Sequence, residues 1–214
     1  KKIWHEQKLK GAGYRRAAEI VRQAGKSVGM TEGIDAHRRC ILHHVADIER
    51  LTAEIAEVEA ELAAKCLGIP NAEKILEIPG LGVTITSGIL AELGDIDRFD
   101  DAKEVQKLSG LGLVDCSSGK HKGQTKISHR GRKRLRYWLY QGAMSVVAHN
   151  EEFRQIHEYY TTRAENPLKK MQSLIVIACK LLRVIFTILK KGVQYDPARM
   201  MKDIVRPEAA KAAA

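Results

Sequence analysis

The chain has 214 residues, 44% of them hydrophobic and 29% charged, with only 5% aromatic. That length allows one domain with an extension or two small ones, and the Ala, Leu, Ile, Glu, Lys and Arg content favours helices, which excludes an all-β enzyme. Thirty-six Lys and Arg against 26 Asp and Glu give a net charge of +10, which points to a polyanionic partner, with nucleic acid first.

The four cysteines, Cys40, Cys66, Cys116 and Cys179, are scattered, forming neither a zinc-type CxxC pair nor a dense disulfide framework, and this fits a reducing cytoplasm. The chain opens on Lys1 without a signal-like apolar run, so it is expected to be a piece of a longer polypeptide. The apolar stretch Leu174 to Cys179 is interrupted by Lys180 and Arg183, so a soluble chain with no membrane partner is expected.

In chain order, residues 1–33 read as a basic helical segment, with Ala17, Ile20, Val21 and Ala24 on one face and Gly25 and Gly29 as stops. Over 34–67, Ile41, Val45, Ile48, Leu51, Ile55, Val58 and Leu62 recur in steps of three or four, averaging 3.5, between charged flanks. This 3.5-residue period predicts a coiled-coil helix that makes homo-oligomers or a long antiparallel helix pair, the ordinary alternative being a long helix packed on its own domain. Gly68-Ile69-Pro70 breaks the pattern and opens a helical domain over 68–196, leaving 197–214 as a C-terminal tail. Inside that domain, helices are predicted around 72–78 and 83–93, from an Asp100 or Asp101 cap through Leu108, over 133–149, and over roughly 168–191. Residues 113–131, polar and glycine-rich, are predicted as a loop.

Three features carry chemistry. Helix, Pro79-Gly80-Leu81-Gly82, helix has the form of a helix-hairpin-helix unit, in which Gly80 and Gly82 leave backbone N–H groups bare for a phosphate, though a helical hairpin without a ligand has the same spacing. From Gly119 to Arg136 there is no acidic residue, while Lys120, Lys122, Lys126, Arg130, Arg132, Lys133, Arg134 and Arg136 are cationic, a concentration suited to phosphate binding with counterion release. Ser117 and Ser118 stand directly before that run, and Ser128 lies within it. A serine needs a partner to become a nucleophile, and neighbouring Lys and Arg can offset charge at a reacting phosphate, yet turn or capping roles are the ordinary use of such serines. Asp95, Asp97, Asp100 and Asp101 suit helix capping rather than metal binding, so no metal site is expected in this chain, and His121 and His129 receive no role.

Ile78-Pro79-Gly80-Leu81-Gly82, Leu90 to Asp95 with Arg98-Phe99, Leu111 to Val114, Ser117-Ser118-Gly119-Lys120, Ile127-Ser128 with Gly131, and Leu135-Arg136 stand in an order that resembles the C-terminal transposase domain of the bridge-RNA-guided insertion-sequence recombinases. Ala178 to Leu181, with Gly192 and Tyr195, resembles that family's closing helix, so the likeness covers about 75–195, and the heptads match its coiled coil. The resemblance implies a DNA transposase or recombinase that works with DNA and a guide RNA in the cytoplasm. It makes Ser118 the nucleophile, with Ser117 as runner-up and Ser128 third. Divalent metal (Mg) is implied only on an N-terminal RuvC-like domain, of which this chain carries no βαβ pattern. The alternative reading is a non-catalytic helical module that binds nucleic acid. The whole is expected to be all-α, with long coiled-coil helices followed by a compact helical domain containing the hairpin unit.

Overall fold

In a computed structural model, which describes residues 11–26, 29, 32–115 and 125–202, the chain is all-α apart from one short β-ribbon. It divides into two units, residues 1–55 and 56–214.

In the first unit, α1 spans Gly11–Ala24, and the start of α2, which spans Ile34–Leu67, follows Gly33. The heptad positions of α2 are exposed: Ile41, Val45, Ile48, Leu51 and Ile55 all present their side chains to solvent, and Val58 continues the row past the unit's end. Charged pairs such as Arg50 with Asp47 and Glu54 lie beside this row. Only Cys66, near the helix C-terminus, is buried in α2.

The second unit is built around two long helices, α6 (Lys133–His149) and α8 (Lys170–Lys191), which pack on each other. Leu135, Leu139, Ala143 and Val146 return to one face of α6 every three or four residues, and Ile177, Ala178, Leu181, Leu182 and Ile185 do the same on α8. Each large side chain so buried contributes roughly 1.5–3 kcal/mol. By length and composition α8 could cross a membrane, with a mean hydropathy of 2.0, but its apolar face is the core of this unit.

Around this pair stand α3 (Ala72–Leu76), α4 (Val83–Leu93), α5 (Ala102–Leu108), α7 (Glu151–Thr162) and α9 (Pro197–Lys202). Asp101 caps α5 by accepting the Lys103 amide at 3.2 Å, as its place before Ala102 predicts. Asn150 closes α6 and opens α7, its side-chain oxygen accepting the Phe153 amide at 3.2 Å. Residues 197–202, assigned to the tail from sequence, form α9 with Met200 buried.

Residues 113–131 differ from the expected loop. Leu113–Asp115 (β1) pairs antiparallel with Thr125–Ile127 (β2), in the register Leu113 to Ile127 and Asp115 to Thr125. Three-residue strands are too short to show a two-residue period, and their pairing is set by what flanks them.

Candidate nucleic-acid interface

The ribbon leaves α5 through Gly110, whose φ of +71° turns the chain, and returns along the same track. The Ser128 amide donates to Gly112 O at 2.8 Å, His129 to Gly110 O at 3.1 Å, and Arg132 to Leu108 O at 2.7 Å. These three bonds fasten the returning chain to the end of α5 before α6 begins. At the far end of the ribbon Asp115 pairs with Thr125. Ser117, Ser118, Gly119, Lys120, His121 and Lys122 lie outside the described residues.

The basic segment divides by what its side chains touch. Arg132 donates through Nη1 to the carbonyl of Glu92, tying α6 to α4. Arg136 Nη1 reaches Ser109 O at 2.9 Å and His129 O at 3.4 Å, closing the turn after α5. These two arginines brace the ribbon base. Lys126, Arg130, Lys133 and Arg134 are exposed and have no side-chain partner among the described residues, so their charge faces solvent. One turn along the same face of α6, Tyr137 is half exposed, its ring edge-on to Trp138 at 5.1 Å.

Ser128 is partly buried, and its hydroxyl lies 3.4 Å from Gly110 O and 3.5 Å from Arg130 O, within the turn it helps to hold. His129 takes a positive φ of 54° at the same turn.

The two hairpin glycines serve different ends. A Cβ on Gly80 (φ +98°) would stand 2.8 Å from Ser145 O and 2.9 Å from Val146 Cα, so the turn between α3 and α4 presses its bare backbone onto α6. Gly82 instead has open space around it and begins α4 with no side chain capping the helix. The exposed start of α4 is thus accessible to an oxyanion, with Leu81 anchoring the turn in the core.

The aspartates are used structurally. Asp95 accepts the Asp97 amide at 2.9 Å, Asp101 caps α5, and Asp97 pairs with Lys190 at 3.1 Å. Among the described residues no three His, Cys, Asp or Glu side chains converge.

A concavity of about 550 Å³ opens at the base of the ribbon, lined by Lys103, Lys107, Ser128, Arg130 and Arg183. Sequence reasoning passes over Lys103, Lys107 and Arg183 because they lie outside the basic run, on two helices far apart in the chain. The one signal for Arg183 in the sequence is its interruption of an apolar run.

Comparison with known proteins places this geometry. The chain is 25% identical over 183 residues to the insertion element IS900 uncharacterized 42 kDa protein of Mycobacterium paratuberculosis, covering 85% of this chain and 45% of that one. It is 27% identical over 126 residues to the transposase for insertion sequence element IS1111A of Coxiella burnetii, covering 59% and 34%. With the transposase for insertion sequence element IS1328 of Yersinia enterocolitica it shares 30% identity over 154 residues, covering 68% and 44%. The chain spans less than half the length of each of these relatives. Residues 72–158, running from α3 into α7 and taking in the Gly80 turn, the ribbon and the basic start of α6, match the Transposase IS116/IS110/IS902 family.

Proposed function

We propose that this chain is the DNA-acting part of an insertion-sequence transposase, a recombinase whose strand cleavage and exchange pass through a serine. The observation that supports this is the ribbon itself: Leu113–Asp115 and Thr125–Ile127 pair within the stretch that matches transposases, and Lys126, Arg130, Lys133 and Arg134 of the same stretch are exposed.

In this reading the Ser118 hydroxyl attacks a DNA phosphodiester. The serine O–P bond forms as the bond from phosphorus to one deoxyribose oxygen breaks. The hydroxyl proton is given up and the leaving oxygen takes one, so the phosphoserine link retains the energy needed for rejoining. Lys126 and Arg130, with Lys120 and Lys122, offset charge on the non-bridging oxygens. Gly82 at the open start of α4 adds a phosphate contact of the helix-hairpin-helix kind, which is indifferent to base sequence. A guide RNA supplies target choice, a RuvC-like domain outside this chain holds the divalent metal, and the exposed heptad face of α2 pairs copies of the protein. Such work belongs in the cytoplasm, at the nucleoid.

The test is a denaturing gel of the full-length protein on a suicide DNA substrate. A covalent adduct is expected that disappears in Ser118→Ala and persists in Ser117→Ala. The reverse pattern moves the nucleophile by one residue. An adduct that survives both changes removes this segment from the chemistry, and DNA binding with no adduct in the parent returns the chain to a binding module.

A further inference from the structure

Opposite its buried face, α8 carries a polar stripe, Lys180, Arg183 and Thr187, at steps of three and four residues. The stripe lines two concavities. One is the 550 Å³ opening at the ribbon base; the other, of about 320 Å³, lies between α8 and the segment entering α9, where Tyr195, Asp196 and Arg199 stand. Arg183 belongs to both linings, and the pair of concavities is termed the trough.

The charge of this trough is one-sided. Lys103, Lys107, Arg130 and Arg183 line the ribbon end, and Lys180 and Arg199 join at the α9 end. Asp196 is the one acidic residue in either lining, and its carboxylate accepts the Arg199 amide at 3.1 Å, so it is already engaged at the start of α9. Several cations elsewhere in this unit are tied to the fold: Lys74 donates to Asn71 Oδ1 and Gly192 O, Lys190 to Asp97, and Arg154 to Glu151. Lys103, Lys107, Arg130 and Arg183, by contrast, have no carboxylate partner among the described residues. Gathering like charges in a concavity destabilises the isolated protein through self-repulsion, and a polyanion lying in the concavity relieves it.

We infer that this trough is a second DNA track, holding the phosphodiester backbone of the duplex as it leaves the ribbon, with Arg183 at its midpoint. The inference rests on the DNA-acting reading above and adds to it a surface on α5 and α8, remote in sequence from the basic segment. Binding here is to phosphate only, and it positions the duplex without reading its sequence.

The experiment measures binding of duplex DNA to the full-length protein across a salt series, for the parent, Lys107→Gln with Arg183→Gln, Lys107→Arg with Arg183→Lys, and Lys126→Glu with Arg134→Glu. Removing the cation that neutralises one phosphate lowers the slope of log affinity against log salt by about 0.9. The glutamine pair is expected to lower it by about 1.8 on the same scale, and the charge-conserving pair to restore it. Helicity by circular dichroism should match the parent in all, because these side chains are exposed. In parallel, DNA should protect Lys103 and Lys107 from acetylation, read by mass spectrometry. An unchanged slope and no protection, with the Lys126 and Arg134 pair still weakening binding, overturn the trough and leave the DNA reading standing. No change in either pair overturns both. Protection of Lys103 and Lys107 by RNA but not by duplex DNA overturns the assignment to DNA.

Discussion

The amide of Arg132 donates to the carbonyl of Leu108 at 2.7 Å, and this bond is possible only because the residue between the ribbon and α6 is Gly131. A Cβ there would overlap the Leu108 carbonyl oxygen and stand 2.7 Å from the Gly110 amide nitrogen, on a backbone whose φ is +143°. Gly131→Ala is therefore expected to cost about 2–4 kcal/mol, combining backbone strain with overpacking. Urea unfolding should show the loss as a lower midpoint, and a change below about 0.5 kcal/mol would mean that the ribbon base is not packed in this way.

Arg134 and Arg136, two residues apart on α6, should behave oppositely. Arg136 holds Ser109 O at 2.9 Å, and Ser109 is fully buried, so Arg136→Ala strands that carbonyl and should cost about 1–2 kcal/mol. Arg134→Ala should leave stability within about 0.5 kcal/mol yet lower the salt slope of DNA binding by about 0.9. Thermal unfolding beside a salt titration separates the two effects, and equal behaviour of the two variants would contradict the division.

Ile48 and Ile55 are 64% and 58% exposed in the single chain. Replacing both with Asp should leave helicity intact and halve, or reduce further, the mass of the assembled protein, because a coiled-coil seam excludes unpaired carboxylates. Light scattering on the full-length protein reads this directly, and an unchanged mass would remove α2 from assembly.

Burial pushes the Cys179 thiol up to about 11 from an ordinary 9.0. Between those values the unfolded chain gives up a proton that the folded one keeps, so the thiol's contribution, intact below pH 9, is lost as pH rises toward 11. Tyr195, also raised mainly by burial, adds a loss of the same sign above pH 10. Stability measured from about pH 8 to 11 should fall, and Cys179→Ala should flatten part of that fall. At about pH 8 a thiol reagent should modify exposed Cys40 well before Cys179.

Much of the helical framework is legible because it is written in periods of three and four. Leu135, Leu139 and Val146 announce α6, and Asp101 announces the start of α5. The α7 helix is hidden because its inward residues are few: Phe153 and Ile156 are buried, while the rest of that stretch is polar or tyrosine. The ribbon is hidden because its cause is non-local: Gly110 and Gly131 meet across the whole ribbon, and spacing along the chain carries no trace of that meeting. For the same reason the basic run looks uniform in sequence, although Arg132 and Arg136 turn toward backbone carbonyls while Arg130 and Arg134 do not.

The pairing of Asp115 with Thr125 brings the two ends of the intervening segment to adjacent positions on neighbouring strands, about 5 Å apart. Whatever is spliced between them begins and finishes at the same doorway, and doubling its length adds only about 0.6 kcal/mol of closure entropy. The far end of the ribbon is thus a socket: lengthened, shortened or wholly substituted inserts can be tried between residues 115 and 125, with the fold of the surrounding helices as the constant against which each is judged.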